Sequence, residues 1–321
     1  GYVGSHCVRA LCNAGNDVVV YDNLTSGGHR EAVDARASLI VGDLSDNELI
    51  DKTFATQQFD GVMHFAAFLD VNESVHKPLL YYRNNVINSV ALLELMHIHK
   101  IGTIVFSSSC ATYGLPPGVP ITEDMPQIPV TPYGRTKLAI EWVLRDSAAA
   151  WGLGATALRY FNAAGAAADA EIGEDHNPEI HLIPRVLQVA LGRSDKIRVF
   201  GLDYPTPDGT CVRDYVHVED LADAHLMAIQ TQPDGQFRSY NVGTGVGVSV
   251  KELIEVARDV TGHDIPAAPA PRREGDPPEL YADPTKITNE LGWQPRYGDV
   301  RRIVETAWQW HRKHPDGYAG V

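Results

Sequence analysis

The chain has 321 residues, of which 44% are hydrophobic and 21% charged, and its formal charge at pH 7 is −14. This length can bury the core of one large α/β unit or of two lobes, and the acidic balance argues against broad binding to nucleic acid or to an anionic membrane. The apolar runs are shorter than the roughly 18 residues of a membrane-spanning helix and the four cysteines form no paired framework, so we expect a protein of the reducing cytoplasm.

Two glycines three residues apart, Gly1 and Gly4, stand directly before a helical pattern. This arrangement is typical of the end of a glycine-rich nucleotide-binding turn, although any loop that starts a helix fits it equally well. Because no strand and no earlier glycine precede the pair, we expect the turn to begin in a first strand that is missing from this sequence.

Buried strands alternate with helices over the first half of the chain; they are predicted at 17–21, 38–41, 61–65, 103–106 and 155–159, with the clearest helices at 81–99 and 136–151. This alternation predicts an α/β fold, a doubly wound parallel sheet of the Rossmann type. In such sheets ligands bind beyond the carboxyl ends of the strands. Small or polar residues occupy four of these ends: Asp22, Asp43, Ala66-Ala67 and Ser109.

Asp22 ends a strand about 20 residues after the glycine pair, a spacing that suits hydrogen bonds to the hydroxyls of an adenosine ribose. Its negative charge disfavours a ribose 2′-phosphate. The sequence therefore indicates NAD rather than NADP, and the alternative is that Asp22 serves only as a loop or helix cap.

Longer loops and isolated helices follow residue 162. We predict a dinucleotide-binding domain over 1–162 and a smaller α/β substrate lobe over 163–321, with some crossing of the chain back to the sheet. In the second part, Ser249-Val-Lys-Glu252 predicts a capping box, and Asp283-Pro284 predicts an aspartate N-cap with proline at the first helical position.

Tyr133 and Lys137 lie four residues apart in a predicted helix and therefore on one face, a turn apart. The ammonium favours the phenolate, so we expect the pKa of Tyr133 to lie below its usual value of about 10. Such a phenol can exchange a proton with a sugar or alcohol hydroxyl. Taken alone, the pair also fits two surface residues of an amphipathic helix.

Phe106-Ser-Ser-Ser109 followed by Tyr133-x-x-x-Lys137 resembles the extended short-chain dehydrogenase/reductase family. Further segments match this family in order and spacing almost to the C-terminus: His64-Phe-Ala-Ala-Phe68, Glu73-Ser-Val-His-Lys-Pro78, Tyr81-Tyr-Arg-Asn-Asn-Val86, Leu158-Arg-Tyr-Phe-Asn162, Val212-Arg-Asp-Tyr-Val-His-Val-Glu-Asp-Leu221 and Arg272-Arg-Glu-Gly-Asp276. The likeness is strongest to members that epimerise UDP-hexoses. It implies reversible interconversion of UDP-glucose and UDP-galactose through a 4-keto sugar and bound NADH, in galactose metabolism, by a homodimer joined through two long helices.

The resemblance also implies roles for individual residues. Tyr133 would be the catalytic base, Lys137 its tuner and a ribose ligand, and Ser109 a partner of the reacting 4-hydroxyl. The residues implied to bind NAD are Gly1, Tyr2, Val3, Gly4, Asp22, Asn23, Asp43, Leu44, Phe65, Ala66, Ala67, Asn84, Lys137 and Phe161. The residues implied to bind the UDP-sugar are Ser109, Tyr133, Asn162, His181, Leu182, Phe200, Arg213, Arg273 and Asp276. The forked donors of arginine suit a diphosphate.

Three positions depart from the family pattern. Leu69 replaces a basic residue of some relatives, which puts one NAD contact in question, and His181 stands where asparagine is common. Leu280 is intermediate in size between the residues that exclude and those that admit an N-acetyl group, so acceptance of acetamido sugars stays open.

Other functions fit less well or stay open. Epimerases of UDP-N-acetylglucosamine or UDP-glucuronate remain alternatives. A 4,6-dehydratase is disfavoured because Ser109-Cys110-Ala111 offers no carboxylate, and a non-catalytic nucleotide sensor is disfavoured because Tyr133, Lys137 and Ser109 are all present. The histidines and cysteines show no zinc-ligand spacing, so we predict no metal.

Overall fold

A computed structural model of the protein describes residues 1–25, 27–231, 235–273 and 275–318. The helices are α1 (Tyr2–Asn13), α2 (Asn47–Thr56), α3 (Val71–His76), α4 (Pro78–Tyr81), α5 (Asn88–Ile98), α6 (Pro132–Trp151), α7 (Leu182–Ala190), α8 (Val218–Thr231), α9 (Val250–Thr261), α10 (Thr285–Leu291) and α11 (Val300–Lys313). The strands are β1 (Val19–Asp22), β2 (Ser38–Val41), β3 (Val62–His64), β4 (Thr103–Ser109), β5 (Gly154–Tyr160), β6 (Asn162–Ala164), β7 (Ile197–Phe200), β8 (Val212–Arg213), β9 (Tyr215–His217), β10 (Phe237–Val242), β11 (Val248–Ser249), β12 (Ala267–Ala270) and β13 (Glu279–Leu280). A π-helical segment, Tyr82–Ile87, joins α4 to α5.

The main sheet has four parallel strands in the order β10-β5-β4-β3, and β1 and β2 form a separate parallel pair. Every residue of β4 is buried, as expected for a strand covered by helices on both faces. The predicted α/β, Rossmann-type architecture is thus confirmed. The strand expected before Gly1 stays a prediction.

Two apolar cores cover the faces of the main sheet. Successive side chains of a strand point to opposite faces, so Ile104 and Phe106 join a core with residues of α2, α5 and α6, whereas Val105 joins a core with residues of α8. This double burial fixes the register of β4. It therefore also fixes where Ser109 emerges at the strand's carboxyl end.

Apart from β10, the strands from β6 onward form small sheets, β11-β8-β13, β12-β7 and β6-β9, around a third core with α7, α9 and α11. Two elements return to the first half of the chain: β10 pairs with β5, and α8 packs against α1. In the described part of the chain the four cysteines are free and buried. No helix there combines the length and apolarity needed to cross a membrane.

The helix starts predicted in this half had different outcomes. The capping box at Ser249 and Glu252 is confirmed, since each side chain accepts from the other's backbone N–H. The N-cap predicted at Asp283 is wrong by one residue: Pro284 occupies that position and α10 begins at Thr285. The Asp283 carboxylate nevertheless accepts from the Thr285 N–H at 2.9 Å.

Candidate active site

A cleft of about 2060 Å³ lies at the carboxyl ends of the strands and extends to residues of the C-terminal half. Of the residues predicted to form the site, all but Lys137 line it. They are Gly1, Tyr2, Val3, Gly4, Asp22, Asn23, Asp43, Leu44, Phe65, Ala66, Ala67, Asn84, Ser109, Tyr133, Phe161, Asn162, His181, Leu182, Phe200, Arg213, Arg273 and Asp276. The structure therefore gathers residues up to 275 positions apart in the sequence around one space.

One end of the cleft has the features of a dinucleotide site. The backbone N–H groups at the start of α1, a 12-residue helix, suit a phosphate group. Asp22 ends β1, and its Oδ1 accepts from the Leu24 N–H at 2.7 Å. A Cβ atom added at Gly28 would lie 2.7 Å from that oxygen, so the wall beside the carboxylate is formed by bare backbone. These residues fit NAD.

Asp43 and Asn23 line the cleft together with Asp22. Asn23 Nδ2 donates to Asp43 Oδ2 at 2.8 Å. Hydrogen bonds from Ser45 and then from Asn23 hold the pKa of Asp43 below its ordinary value, so its charge persists. The Tyr2 phenol, by contrast, donates to the Gly165 carbonyl at 2.7 Å, which leaves mainly the Tyr2 backbone for a cofactor.

Asn84 lies in the π-helical segment, where its Nδ2 donates to Asn85 Oδ1 at 2.9 Å. Asn85 is fully buried and bonds both the N–H and the carbonyl of Phe68, at 2.9 and 3.1 Å. It also donates to Thr136 of α6. Asn85 thus links the segment after β3 to the helix of Tyr133. This role was not predicted from the sequence, because the π-helical turn that orients Asn85 has no clear sequence signal.

Tyr133 stands at the start of α6, where Thr131 caps the helix by accepting from the Gly134 N–H at 3.3 Å. Lys137 follows one turn later, behind Tyr133, and is only 3% exposed. Its Nζ donates to the Ser107 carbonyl at 2.9 Å and lies 5.8 Å from the centre of the Tyr133 ring. The two side chains are neighbours, as predicted, but the amine is directed to β4.

The pKa predicted for Tyr133 is wrong in direction. Burial raises the pKa of the phenol well above its ordinary value, as does the nearby Tyr160, whereas the Ser109 side chain lowers it. Burial also lowers the pKa of Lys137 to about 7, against the opposing charge of Glu141. The lysine therefore carries only part of a charge at neutral pH, and it cannot by itself make the phenol acidic.

Ser109 is the last residue of β4, and its Oγ accepts from the Ala111 N–H at 3.2 Å. The preceding Ser108 points to the opposite face and donates to Glu141 at 2.6 Å. Glu141 in turn pairs with Arg159 through contacts of 2.6 and 3.0 Å. This buried pair, also missed from the sequence, supports the strand end from behind.

The other end of the cleft carries the predicted sugar-nucleotide ligands. Arg213 pairs with Asp276, so two residues expected to bind the UDP-sugar bind each other. Burial lowers the pKa of Arg213, but the charge of Asp276 outweighs this and raises it. The Arg273 guanidinium lies 4.2 Å above the Phe200 ring. Both arginines are thus held in place at the cleft wall.

His181 precedes the first residue of α7, Leu182, and its side chain makes no capping hydrogen bond to the helix. Its Nδ1 lies 2.7 Å from Glu174 and 3.0 Å from Glu179, and a second histidine, His176, faces the same carboxylates. Burial lowers the pKa of both imidazoles, but the carboxylates more than offset this and raise it to about 9 at His176 and about 10 at His181. Asn162 is also engaged, since its Nδ2 donates to the Asp214 carbonyl at 2.8 Å.

Residues 1–243 match the model of the NAD dependent epimerase/dehydratase family. A UDP-glucose 4-epimerase of Halalkalibacterium halodurans is 52% identical over 320 residues, which are 99% of this chain and 95% of that protein. The fold is similar to the crystal structure of UDP-glucose 4-epimerase from Brucella ovis in complex with NAD, with TM-score 0.93, 46% identity and coverage of 96% and 95%. It is also similar to the enzyme from Bifidobacterium longum in complex with NAD+ and UDP, with TM-score 0.95, 38% identity and coverage of 99% and 97%.

Proposed function

The chain belongs to the NAD dependent epimerase/dehydratase family, and on that premise we propose that it interconverts UDP-glucose and UDP-galactose by inverting C4 of the hexose. It is an NAD-dependent enzyme, and a place in galactose metabolism follows from the proposed reaction. The observation that carries the proposal is that Tyr133, Ser109 and Arg213 line the same cleft as the residues suited to NAD.

Proton transfer at the sugar 4-hydroxyl is assigned to Tyr133, with Ser109 as its relay. When bound, NAD supplies a positively charged nicotinamide ring that accepts the C4 hydride and gives it back. Loss of the proton and the hydride leaves a 4-keto sugar. Because burial raises the pKa of Tyr133, its phenolate needs positive charge close by, and the protonated form of Lys137 supplies part of it.

The inversion requires the ketone to turn while the rest of the ligand stays bound. Arg213 and Arg273 suit the diphosphate because each presents a fixed fork of donors. Asp276 holds Arg213 in position. Binding energy placed in the unreactive UDP then keeps the keto sugar in the cleft while its other face is presented.

The Tyr133→Phe variant tests this assignment. We expect turnover of UDP-galactose to fall by about 100-fold or more, the scale of lost acid–base catalysis, with UDP affinity unchanged. Tyr297→Phe is a matched control. It also removes one phenol, but that phenol lies outside the cleft, where it donates to Glu219 at 2.9 Å. Turnover at the wild-type rate in Tyr133→Phe would show that the phenol takes no part in the reaction.

The second candidate function is epimerisation of an acetamido sugar, and the intermediate size of the Leu280 side chain is the reason to consider it. Leu280 lines the cleft and is partly buried. Turnover rates measured side by side with UDP-galactose and with its N-acetyl counterpart decide between a restricted and a dual specificity. Leu280→Tyr should suppress the second rate selectively, since a larger side chain leaves less room for the acetamido group.

We propose that residues 1–162 bind NAD and residues 163–321 hold the sugar nucleotide. In support, Asp22, Asp43 and Asn84, which are suited to NAD, come from the first range, whereas Arg213 and Arg273 come from the second. The return of β10 and α8 to the first part makes the two ranges cross in space.

We also propose a homodimer. The exposed apolar side chains of Leu79, Ile87 and Trp142, which are 80%, 60% and 56% accessible, lie on α4, the π-helical segment and α6, which pack on one another. Exposed apolar side chains on adjacent elements are typical of an interface. Light scattering should give twice the chain mass of 35.1 kDa, and a single-chain mass would contradict the dimer. The four free, buried cysteines support a cytoplasmic location.

A further inference from the structure

The segment between β6 and α7 brings four potential metal ligands together. Glu174, His176, Glu179 and His181 each place one donor atom within 4.8 Å of the others. They lie within eight consecutive positions at the wall of the cleft, and three of them contribute to its lining. The proposed reaction uses none of the first three.

Of the four separations between donor atoms, the two at His176 are close to those of a tetrahedral ion and the two at His181 are shorter. His176 Nδ1 lies 3.3 Å from Glu174 Oε1 and 3.7 Å from Glu179 Oε2. His181 Nδ1 lies 2.7 Å from Glu174 Oε1 and 3.0 Å from Glu179 Oε1. A tetrahedral ion with bonds of about 2.0–2.2 Å spaces its ligand atoms about 3.3–3.6 Å apart.

Hydrogen bonding accounts for only part of this cluster, since His181 Nδ1 bonds Glu179 Oε1 at 3.0 Å. Glu174 Oε1 and His176 Nδ1 are buried and have no aligned hydrogen-bond partner among the described residues, although charged atoms surround them. Glu174 is only 4% exposed. Buried polar atoms that converge without aligned hydrogen bonds call for another partner.

A separate set of bonds fixes the Glu179 carboxylate. Its Oε1 accepts from the backbone N–H groups of Ile180 and His181, both at 2.8 Å. The other oxygen is left on the side of His176. This is the arrangement expected of a ligand oriented by its surroundings.

We propose that Glu174, His176, Glu179 and His181 bind one zinc ion. Two imidazoles and two carboxylates favour zinc or a related transition metal over Mg²⁺ and Ca²⁺, which prefer oxygen ligands alone. With four protein ligands the site is closed, so the ion stabilises structure and takes no part in the epimerase chemistry. The inference does not depend on the proposed function.

The site would fix one wall of the cleft. His181 is the residue before α7, and Leu182, its first residue, also lines the cleft. An ion held by both ends of the 174–181 segment would close that segment into a ring and add to the ion pairs that already join its ends.

Zinc content of the purified full-length chain tests the proposal. After chelation and dialysis, titration calorimetry with Zn²⁺ should give one site per chain, and elemental analysis should confirm one bound zinc. His176→Gln and Glu179→Gln should weaken binding by more than about 100-fold, since even outer-shell changes cost 10–100-fold. His99→Gln, which removes an imidazole paired with Asp51 at 2.7 Å, should bind zinc as the wild type does.

The wild type alone also decides the question if a variant fails to fold. Substitution with Co²⁺ should produce the visible absorption bands of a tetrahedral site. No band and no zinc on the wild type would show that two imidazolium ions and two carboxylates neutralise each other there, and the proposal would be overturned. Equal zinc binding by wild type and His176→Gln would overturn it as well.

Discussion

Glu141 and Arg159 form an ion pair directly behind the strand that carries Ser109, and their side chains are 0% and 2% exposed. Removing one partner of such a pair leaves a buried charge uncompensated. We expect Glu141→Gln to lower the free energy of unfolding by about 3–5 kcal/mol, measured by urea denaturation. Glu48→Gln, which breaks an exposed pair with Lys52, should cost less than about 1 kcal/mol. Equal losses in the two variants would contradict this account.

His64 gives the protein a defined sensitivity to acid. Burial, aided by the charge of Lys137, lowers the pKa of His64 to about 3, whereas the unfolded chain has a value of about 6.5. Between pH 6.5 and 3 the unfolded state therefore binds one more proton at His64 than the folded state does. The stability that His64 contributes is fully present above about pH 6.5, and it is lost as the pH falls toward 3.

The His64→Gln variant isolates this effect, since glutamine cannot titrate but can still reach Ser89, which His64 Nε2 contacts at 2.7 Å. Between pH 6 and 4 its unfolding free energy should fall less steeply than that of the wild type, by up to about 1.4 kcal/mol per pH unit. The exposed His263→Gln is the control. Parallel slopes for all three proteins would rule the effect out.

The sequence places candidate residues better than it describes their environment. Asp22 and Ser109 could be predicted because a parallel sheet puts ligands at its strand ends. The burial of Lys137 and the pairing of Arg213 with Asp276 could not, since both depend on tertiary contacts between distant segments. The raised pKa of Tyr133 was not predicted either, because it results from burial of the phenol, which the sequence does not reveal.

Among the elements, the start of α6 has the closest link to the chemistry, because Tyr133 lies in its first turn. Thr131 accepts from the Gly134 N–H, and replacing such an N-cap by alanine costs about 1 kcal/mol. We expect Thr131→Ala to lose that stability in denaturant titrations and also to slow turnover, as the first turn frays. Thr131→Ser keeps the oxygen and should restore both quantities; a Ser variant as impaired as the Ala variant would argue against the cap.

Helix boundaries show what local sequence can decide. The capping box at Ser249 depends only on residues three apart, and it forms as predicted. The start of α10 shifts past Asp283 by one residue, which the local pattern did not resolve. The π-helical turn at Tyr82–Ile87 inserts an extra residue into a predicted continuous helix, and it is what aims Asn85 at Phe68.

For the whole molecule, alternating strands and helices were enough to predict the parallel sheet. They did not predict that β10 would pair with β5, because strand order beyond the first half depends on long-range packing. The cluster at 174–181 was not predicted for a related reason: cysteine and histidine spacings are the sequence signal of a zinc site, whereas two of these four residues are glutamates.

The central claim is that this cleft inverts C4 of a UDP-hexose. The most direct measurement is the NMR spectrum of the sugar nucleotide after UDP-galactose is incubated with the NAD-loaded protein and no other reagent. The account predicts that UDP-glucose accumulates with its carbon skeleton and oxygens intact. Unchanged UDP-galactose, or a dehydrated 4-keto-6-deoxy product, would contradict it.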